Sequence, residues 1–500
     1  MNEPRKDRVM TLDRGTLSTW DAMAMAIAVL SPAAAMAYNT TGAALFGGAS
    51  TPLAFLLAGV ACLCLAFVVI SFTRRMVSAG YLYTYCSKVL GPSSGFLVGW
   101  LYFFGFFCFV PMTVSGVGGF GRELLRVQFG AQLPDWSWFP IFLVCMIAAV
   151  ALNVVGAKVS ARTQLALGVA TILVVAAVSL LITVAGGHSG HTNVPFTFNN
   201  TLRGGVSGVF YAVVFGILSY VGFETGAVLA EETRNPRKAI PASVLAAVLF
   251  SVIFYVWVTY SISIGVGVTQ EGAQAWAHDP RILATLATRY GGRHFSLLVD
   301  LAGIISGFAV CIACVATAAR TLFAMGRDQV LPEWFGRTHP RYKTPANATV
   351  FVGLVATMIA GIIGLGLEGD SGPFTIYYFL GSVGSLSITI IYGLACVTGI
   401  VWLRRFENRE GSSYRLAIPA VGALIFALAV YGSVYPGELP PWPYQAVPYL
   451  VAVWILLGVA VLCWLRRSAP QRIHQVGSIM GEGGDDPPIR LADVSAAKVS

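Results

Sequence analysis

The sequence predicts an all-α membrane protein of twelve transmembrane helices, arranged as a five-plus-five inverted repeat in which helices 1 and 6 are discontinuous. Three observations predict it. Of the 500 residues 56% are hydrophobic and 11% charged, whereas a soluble globular chain carries roughly 25% charged residues. Apolar runs of the ~20 residues needed to cross a hydrocarbon core recur along the whole length. Breaks in the first and the sixth of these runs fall at matching positions, five runs apart.

Taken in order, the spans cover about 20–46, 52–72, 93–118, 136–154, 161–185, 206–229, 239–265, 296–325, 347–366, 373–402, 416–435 and 446–466. Residues 1–19 are polar and charged, without the basic start, short apolar stretch and cleavage site of a removable signal, so the first span directs insertion. The two halves of the core run from 20 to 185 and from 206 to 402, and residues 403–467 carry the last two spans. The tail, 468–500, contains Gly481-Glu482-Gly483-Gly484-Asp485-Asp486-Pro487-Pro488, a composition that cannot bury a core and is expected to be disordered.

Charge fixes the expected orientation. The formal net charge is +9, yet Lys and Arg stand in short connections beside apolar runs, which is the pattern of loops held on the cytoplasmic side and not of a nucleic-acid surface. With the N-terminus inside, cytoplasmic segments hold groups such as Arg74, Arg75 and Lys88 or Arg404, Arg405, Arg409 and Arg415. The opposite side holds Arg122, Arg126, Arg203, Arg281, Arg289 and Arg293. Both termini are therefore placed in the cytoplasm, and the membrane in question is the cytoplasmic (inner) one.

Little in the chain suggests an enzyme or a metal protein. The nine cysteines lie mostly inside apolar segments, as small hydrophobic residues do. Cys311 and Cys314 form a C-x-x-C with no second pair or histidine beside it, so neither a disulfide framework nor a zinc site is indicated. His188, His191, His278, His294, His339 and His474 fall in loops, tails or span edges, away from nucleophile or ligand partners. No metal or cofactor is expected.

The breaks carry the functional signal. Span 1 reads Leu30-Ser31-Pro32-Ala33-Ala34-Ala35. Proline removes a backbone donor and clashes one turn earlier, but it suits the first position of a new helix, and serine before it is a favoured N-cap. Span 6 has its own weak point at Ser219-Tyr220-Val221-Gly222-Phe223, where glycine permits unwinding. Either residue alone makes an ordinary kink. Paired across five spans, they point to an inverted-repeat transporter with substrate held at the midplane between half-helices. Free amides and the positive end of a half-helix receive a carboxylate, and unpaired carbonyls receive an ammonium. Glu224, just beyond the second break, costs about 2.5–3.5 kcal/mol to insert at that depth, so it faces a cavity, a partner or a pathway.

At these residues the chain resembles the amino acid, polyamine and organocation (APC) transporter superfamily. Gly222-Phe223-Glu224 leading into Glu231-Glu232-Thr233-Arg234-Asn235-Pro236-Arg237-Lys238-Ala239-Ile240-Pro241 looks like the family's span 6 and following loop. Supporting pieces are Ala79-Gly80-Tyr81-Leu82-Tyr83 with Gly91-Pro92 and Gly99-Trp100, and Arg320 to Asp328 followed by Leu331-Pro332, Pro340 and Thr344-Pro345. The resemblance covers most of the first ten spans. It implies a LeuT-like fold of two inverted five-helix repeats plus two peripheral helices, moving amino acids or related amines by alternating access. By position, Ser31, Pro32, Ala33, Ala34 and Ala35 would bind the carboxylate, and Leu218, Ser219, Tyr220 and Val221, with Gly222 beside them, the amino group and side chain. Tyr220 is either a gate over the site or plain packing.

The chain departs from the family in places. Its span 1 break lacks the usual glycines and looks more like the branch containing putrescine importers. Gln164 to Leu173 holds no lysine of the kind some relatives carry in span 5, and Lys158 at the cytoplasmic end reads as a snorkelling residue. Ala309-Val310-Cys311-Ile312-Ala313 lacks the hydroxyl pair that sodium would want, which disfavours a sodium site. Glu224 is either the proton-coupling residue, since desolvation raises a carboxylate's pKa, or a structural acceptor. Asp21 and Asp300 read as interfacial and remain secondary candidates, while Glu231 and Glu232 join a charge cluster with Arg234 and Arg237. The expected protein imports a neutral amino acid, with protons, and has no cofactor. Polyamine import or amino acid exchange is the alternative, and a channel, which would build its filter by symmetry, fits less well.

Overall fold

Proline suits the first position of a helix better than an interior one, and position 32 is where the first long helical run begins. The computed structural model describes residues 23, 26, 27, 30–73, 81–156, 161–223, 236–327, 331–366, 372–407 and 413–468. Helical backbone at Met23, Ala26 and Ile27 precedes a turn at Leu30. Ser31 then enters the left-handed region, φ 47° and ψ 58°, and α1 (Pro32–Ala34) follows at once. The run continues through a π-helical turn, Ala35–Asn39, into α2 (Thr40–Gly47). Gly48, at φ 52° and ψ −134°, ends it before α3 (Thr51–Thr73).

Next come α4 (Tyr81–Leu90), the long α5 (Pro92–Phe129), α6 (Trp138–Val155) and α7 (Ala161–Val184). The short apolar α8 (Val206–Tyr220) stops where Val221 turns to ψ 129° and Gly222 to φ 107°. The helix thus ends at the second expected weak point, at Val221 and Gly222. Beyond it lie α9 (Pro236–Val266), α10 (Gln270–His278), α11 (Ile282–Gly291) and α12 (Arg293–Arg327). The chain closes with α13 (Ala346–Gly366), α14 (Gly372–Trp402), α15 (Ser413–Val434) and α16 (Val447–Ser468).

Among the described residues no strand occurs, and ten helical runs are long and apolar enough to cross a membrane. One of them, Pro32–Thr73, holds the turn at Gly48, and Val206–Tyr220 is a further, shorter apolar helix. The protein is a multi-pass membrane protein. Most expected spans match these helices to within a few residues. The main difference is the connection after span 7, expected as loop, which folds into α10 and α11. Its signal is local: the Thr269 hydroxyl accepts from Gly272 N at 3.1 Å, an N-cap, and Trp276 and Ala273 supply a buried face. The N-terminal segment 1–19 and the tail from 469 on lie outside the described residues.

Close packing of small residues on aromatic rings holds the core together, as is usual where lipid removes the hydrophobic drive between helices. The long α5 lies against α12 and α14, and α3 lies against α8 and α9. A Cβ on Gly384 of α14 would stand 2.4 Å from the Phe109 ring of α5, so that approach needs glycine. At the edge, α16 docks on α5 by a reciprocal pair: Trp100 Nε1 donates to the Trp454 carbonyl at 2.9 Å and Trp454 Nε1 to the Trp100 carbonyl at 3.2 Å, with the rings stacked at 4.7 Å. Val144, Ile147, Leu173, Leu354, Ile362 and Leu456 are exposed on the outer surface, where the surrounding medium is hydrocarbon.

Candidate functional site

A cavity of about 100 Å³ opens between the two helix breaks. From the first break Ser31, Ala34 and Ala35 line it, joined by Leu30, and from the second Leu218, Ser219, Val221 and Gly222. Seven of the expected residues are therefore brought to one place from positions almost two hundred residues apart. Pro32, Ala33 and Tyr220 do not line it. Pro32 and Ala33 are buried in the first turn of α1, on its other side.

Backbone conformation at the breaks is unusual in a way that points to use. A non-glycine residue at positive φ is uncommon, and outliers of this kind cost of order 1–3 kcal/mol and cluster at functional sites. Ser31 is such a residue, buried, with its side chain making no cap to the helix it precedes. Its carbonyl accepts from Ala35 N at 3.2 Å, and Ala34 N donates to Ser306 Oγ of α12 at 3.2 Å. One amide of the new helix is thus already tied to α12.

Sequence reasoning missed the ceiling of the cavity. Asn39, at the end of the π-helical turn, donates from Nδ2 to Ser219 Oγ at 2.9 Å and accepts at Oδ1 from the Tyr377 hydroxyl at 2.7 Å. This network joins helices 1, 6 and 10 in the span numbering. Tyr38 stacks on Tyr377 at 5.2 Å and donates its hydroxyl to the Gly303 carbonyl at 3.0 Å. Phe106, Phe109, Met112 and Thr113 from α5, and Val310, Cys314 and Thr317 from α12, complete an apolar wall with a few hydroxyls. Asn39 and Tyr377 were findable: each is polar within an apolar span, and Asn39 stands four residues from Ala35, on the same helical face. Among the described residues none of the side chains lining the cavity is charged.

Tyr220 is fully buried on the opposite side of α8, where its hydroxyl donates to the Phe55 carbonyl of α3 at 3.2 Å and its ring lies 5.1 Å from Tyr255. The geometry gives it packing, not a position over the cavity. Tyr220→Phe is expected to lower stability by about 1 kcal/mol, the usual worth of one hydrogen bond, and to leave uptake affinity unchanged; a weakened affinity would return it to the site.

Asp300, read as interfacial, is instead wholly buried. Arg281, just before α11, donates Nε to its Oδ1 at 3.1 Å and a terminal nitrogen to Oδ2, and Gln128 of α5 reaches Oδ2 at 3.4 Å. The reason sequence missed this is that its partner is supplied by the unforeseen pair α10 and α11. Cys311 and Cys314 both stand in α12, and the second faces the cavity. Glu224, Asp21, Lys158, Glu231, Glu232 and Arg234 lie outside the described residues.

Known proteins similar to this chain are membrane transporters. Over 89% of its length the chain is 24% identical to the methylthioribose transporter of Bacillus subtilis (strain 168), covering 92% of that protein. It is also 24% identical, over 89% of its length, to the branched-chain amino acid permease BcaP of the same organism, covering 91% of it. With the low-affinity putrescine importer PlaP of Escherichia coli (strain K12) it shares 27% identity over 61% of its length and 66% of that protein's. Its fold resembles that of a mutant of the Eremococcus coleocola manganese transporter, with a TM-score of 0.57 at 12% identity, covering 93% of this chain and 99% of that one. The family model of amino acid permeases matches residues 17–461, nearly the whole chain. The chain belongs to the amino acid permease family of the APC superfamily, whose members are membrane transporters and not enzymes.

Proposed function

We propose that this protein is a secondary transporter that imports a neutral amino acid across the cytoplasmic membrane by alternating access, coupled to protons. In this reading the chain crosses the bilayer twelve times as two inverted five-helix repeats and two peripheral helices, with both termini in the cytoplasm. The observation that carries it is the cavity between the breaks at Ser31 and at Val221 and Gly222, walled among the described residues by apolar, hydroxyl and carboxamide side chains with no charge among them. A helix start presents donors and the positive end of its dipole, and a helix end presents acceptors. Such a pair suits a zwitterion, whose charges lie on adjacent atoms. A diamine would bring two buried positive charges with no counter-charge among the described lining residues, which is costly. The likeness to branched-chain amino acid permeases supports an apolar side chain facing Phe106, Phe109 and Met112.

Polyamine import is the second reading, favoured by the identity with the putrescine importer and by the Ser31-Pro32-Ala33 break. A thermal-shift panel on the purified protein separates the two, because a ligand that binds only the native state raises its apparent stability. L-leucine and other neutral amino acids are expected to raise the melting temperature, and putrescine is not; the reverse pattern would replace the first reading by the second. Counterflow of labelled substrate into preloaded vesicles distinguishes a carrier from a channel.

Proton coupling is assigned to Glu224. If it carries the proton, uptake by the wild type rises as the outside is acidified, and Glu224→Gln flattens that dependence while the protein stays folded. An unchanged pH profile in the variant removes Glu224 from the coupling role.

A further inference from the structure

The polar ceiling of the cavity has a direction. Ser219 Oγ lies 3.1 Å from the Phe215 carbonyl, which can only accept, so the single hydroxyl proton of Ser219 goes there. Its lone pairs are then left for Asn39 Nδ2, 2.9 Å away. That sets the amide: Asn39 Oδ1 faces Tyr377, whose hydroxyl donates to it at 2.7 Å. The bonds run in one sense, from Tyr377 through Asn39 and Ser219 to the backbone of α8, and use one of the two Asn39 Nδ2 protons. This network leaves the lone pairs of the Tyr377 phenolic oxygen unused, so that the free acceptor is on the tyrosine.

The ring that carries this oxygen is held in place. A Cβ on Gly116 of α5 would stand 2.7 Å from the Tyr377 ring, so the ring lies close against that helix. Tyr38 stacks on it and spends its own proton on the Gly303 carbonyl. Tyr377, Asn39, Ser219 and Val221 line the same cavity, and the Asn39 amide bridges the Tyr377 oxygen to Ser219 in the last turn of α8.

We infer that Tyr377, oriented by Asn39, is a specificity-determining residue whose phenolic oxygen accepts a hydrogen bond from the ammonium group of the substrate. The inference rests on the amino acid reading given above. Asn39 and Ser219 act as positioning residues: they fix which way the tyrosine proton points and so make its oxygen an acceptor. A donor that carries charge forms the stronger class of hydrogen bond, so its loss is felt in affinity by about tenfold or more.

The test uses the full-length protein in vesicles and three competitors of labelled L-leucine: L-leucine itself, isopentylamine, which lacks the carboxylate, and 4-methylpentanoate, which lacks the ammonium. Tyr377→Phe is expected to weaken L-leucine and isopentylamine by about tenfold or more and to leave 4-methylpentanoate within about twofold of wild type. Equal losses for all three, or no loss, would overturn the inference, since a merely structural tyrosine cannot tell the analogues apart. Asn39→Asp supplies a second variant: its carboxylate still accepts from Tyr377 and adds negative charge, so the preference is expected to move toward isopentylamine over L-leucine, and an unmoved ratio counts against the inference. Should the wild type bind isopentylamine but not L-leucine, the amino acid reading falls, while the effect of Tyr377→Phe on isopentylamine still decides the role of the tyrosine.

Discussion

Asp300→Asn, with Arg281 left in place, is expected to lower stability by about 3–5 kcal/mol, the loss that follows when one partner of a buried ion pair is removed and the other charge is stranded. The carboxylate is wholly buried and Arg281 nearly so. The guanidinium meets both carboxylate oxygens, Gln128 supplies another donor, and Gln128 itself accepts at Oε1 from Arg293 Nε at 3.3 Å. Arg281 is also tethered at its backbone, since its amide donates to Asp279 Oδ1 at 2.8 Å, and Asp279 is held in turn through its carbonyl by the Thr41 hydroxyl at 3.0 Å. Losing the pair therefore loosens the seat of α10 and α11 on both α2 and α12. A melting curve in detergent reads the effect. Adding Arg281→Gln to Asp300→Asn is expected to recover most of the loss, because no charge is then left behind. Wild-type melting in the single variant would show that the pair contributes nothing.

The same residues show where sequence reasoning reached and where it stopped. Spans of 20 apolar residues announce themselves, because hydrocarbon leaves a helix no choice but to satisfy its backbone internally. Pro32 announced the first break and Gly222 the second, since each acts on the backbone of its own chain segment and needs no partner to do so. Asn39 and Tyr377 act through each other across 338 positions, and Asp300 through Arg281, which stands on a connection with no apolar run long enough to read as a span. Interactions of that sort are properties of a packed pair, and a single residue shows only that it is out of place in an apolar run. Tyr220 illustrates the converse. Its place beside the break suggested a gate, but one step along a helix turns a side chain by about 100°, and that step separates Ser219 in the cavity from Tyr220 against Phe55.

Gly222→Ala is expected to abolish most of the transport while leaving the protein folded. The residue sits at φ 107°, a conformation that side chains with a Cβ rarely adopt. Space is not the obstacle: among the described residues a Cβ there would meet only Leu30 Cδ2, at 3.9 Å, an ordinary contact. Any loss must therefore come from the backbone, which would move out of this region to relieve strain of order 1–3 kcal/mol. Such a move carries Val221 and the end of α8 with it, and these residues form one wall of the cavity. A displacement of about 1 Å in a positioning element is enough to cost roughly a hundredfold in function. Gly130 provides the control, because it caps α5 at φ 69° with no atom within 4 Å of its Cβ position and far from the cavity wall. Gly130→Ala imposes the same kind of strain and is expected to leave uptake near wild type. Transport assays on the two variants, each checked for a cooperative melt, decide the matter: equal uptake by both would mean that the break at Gly222 has no part in holding substrate.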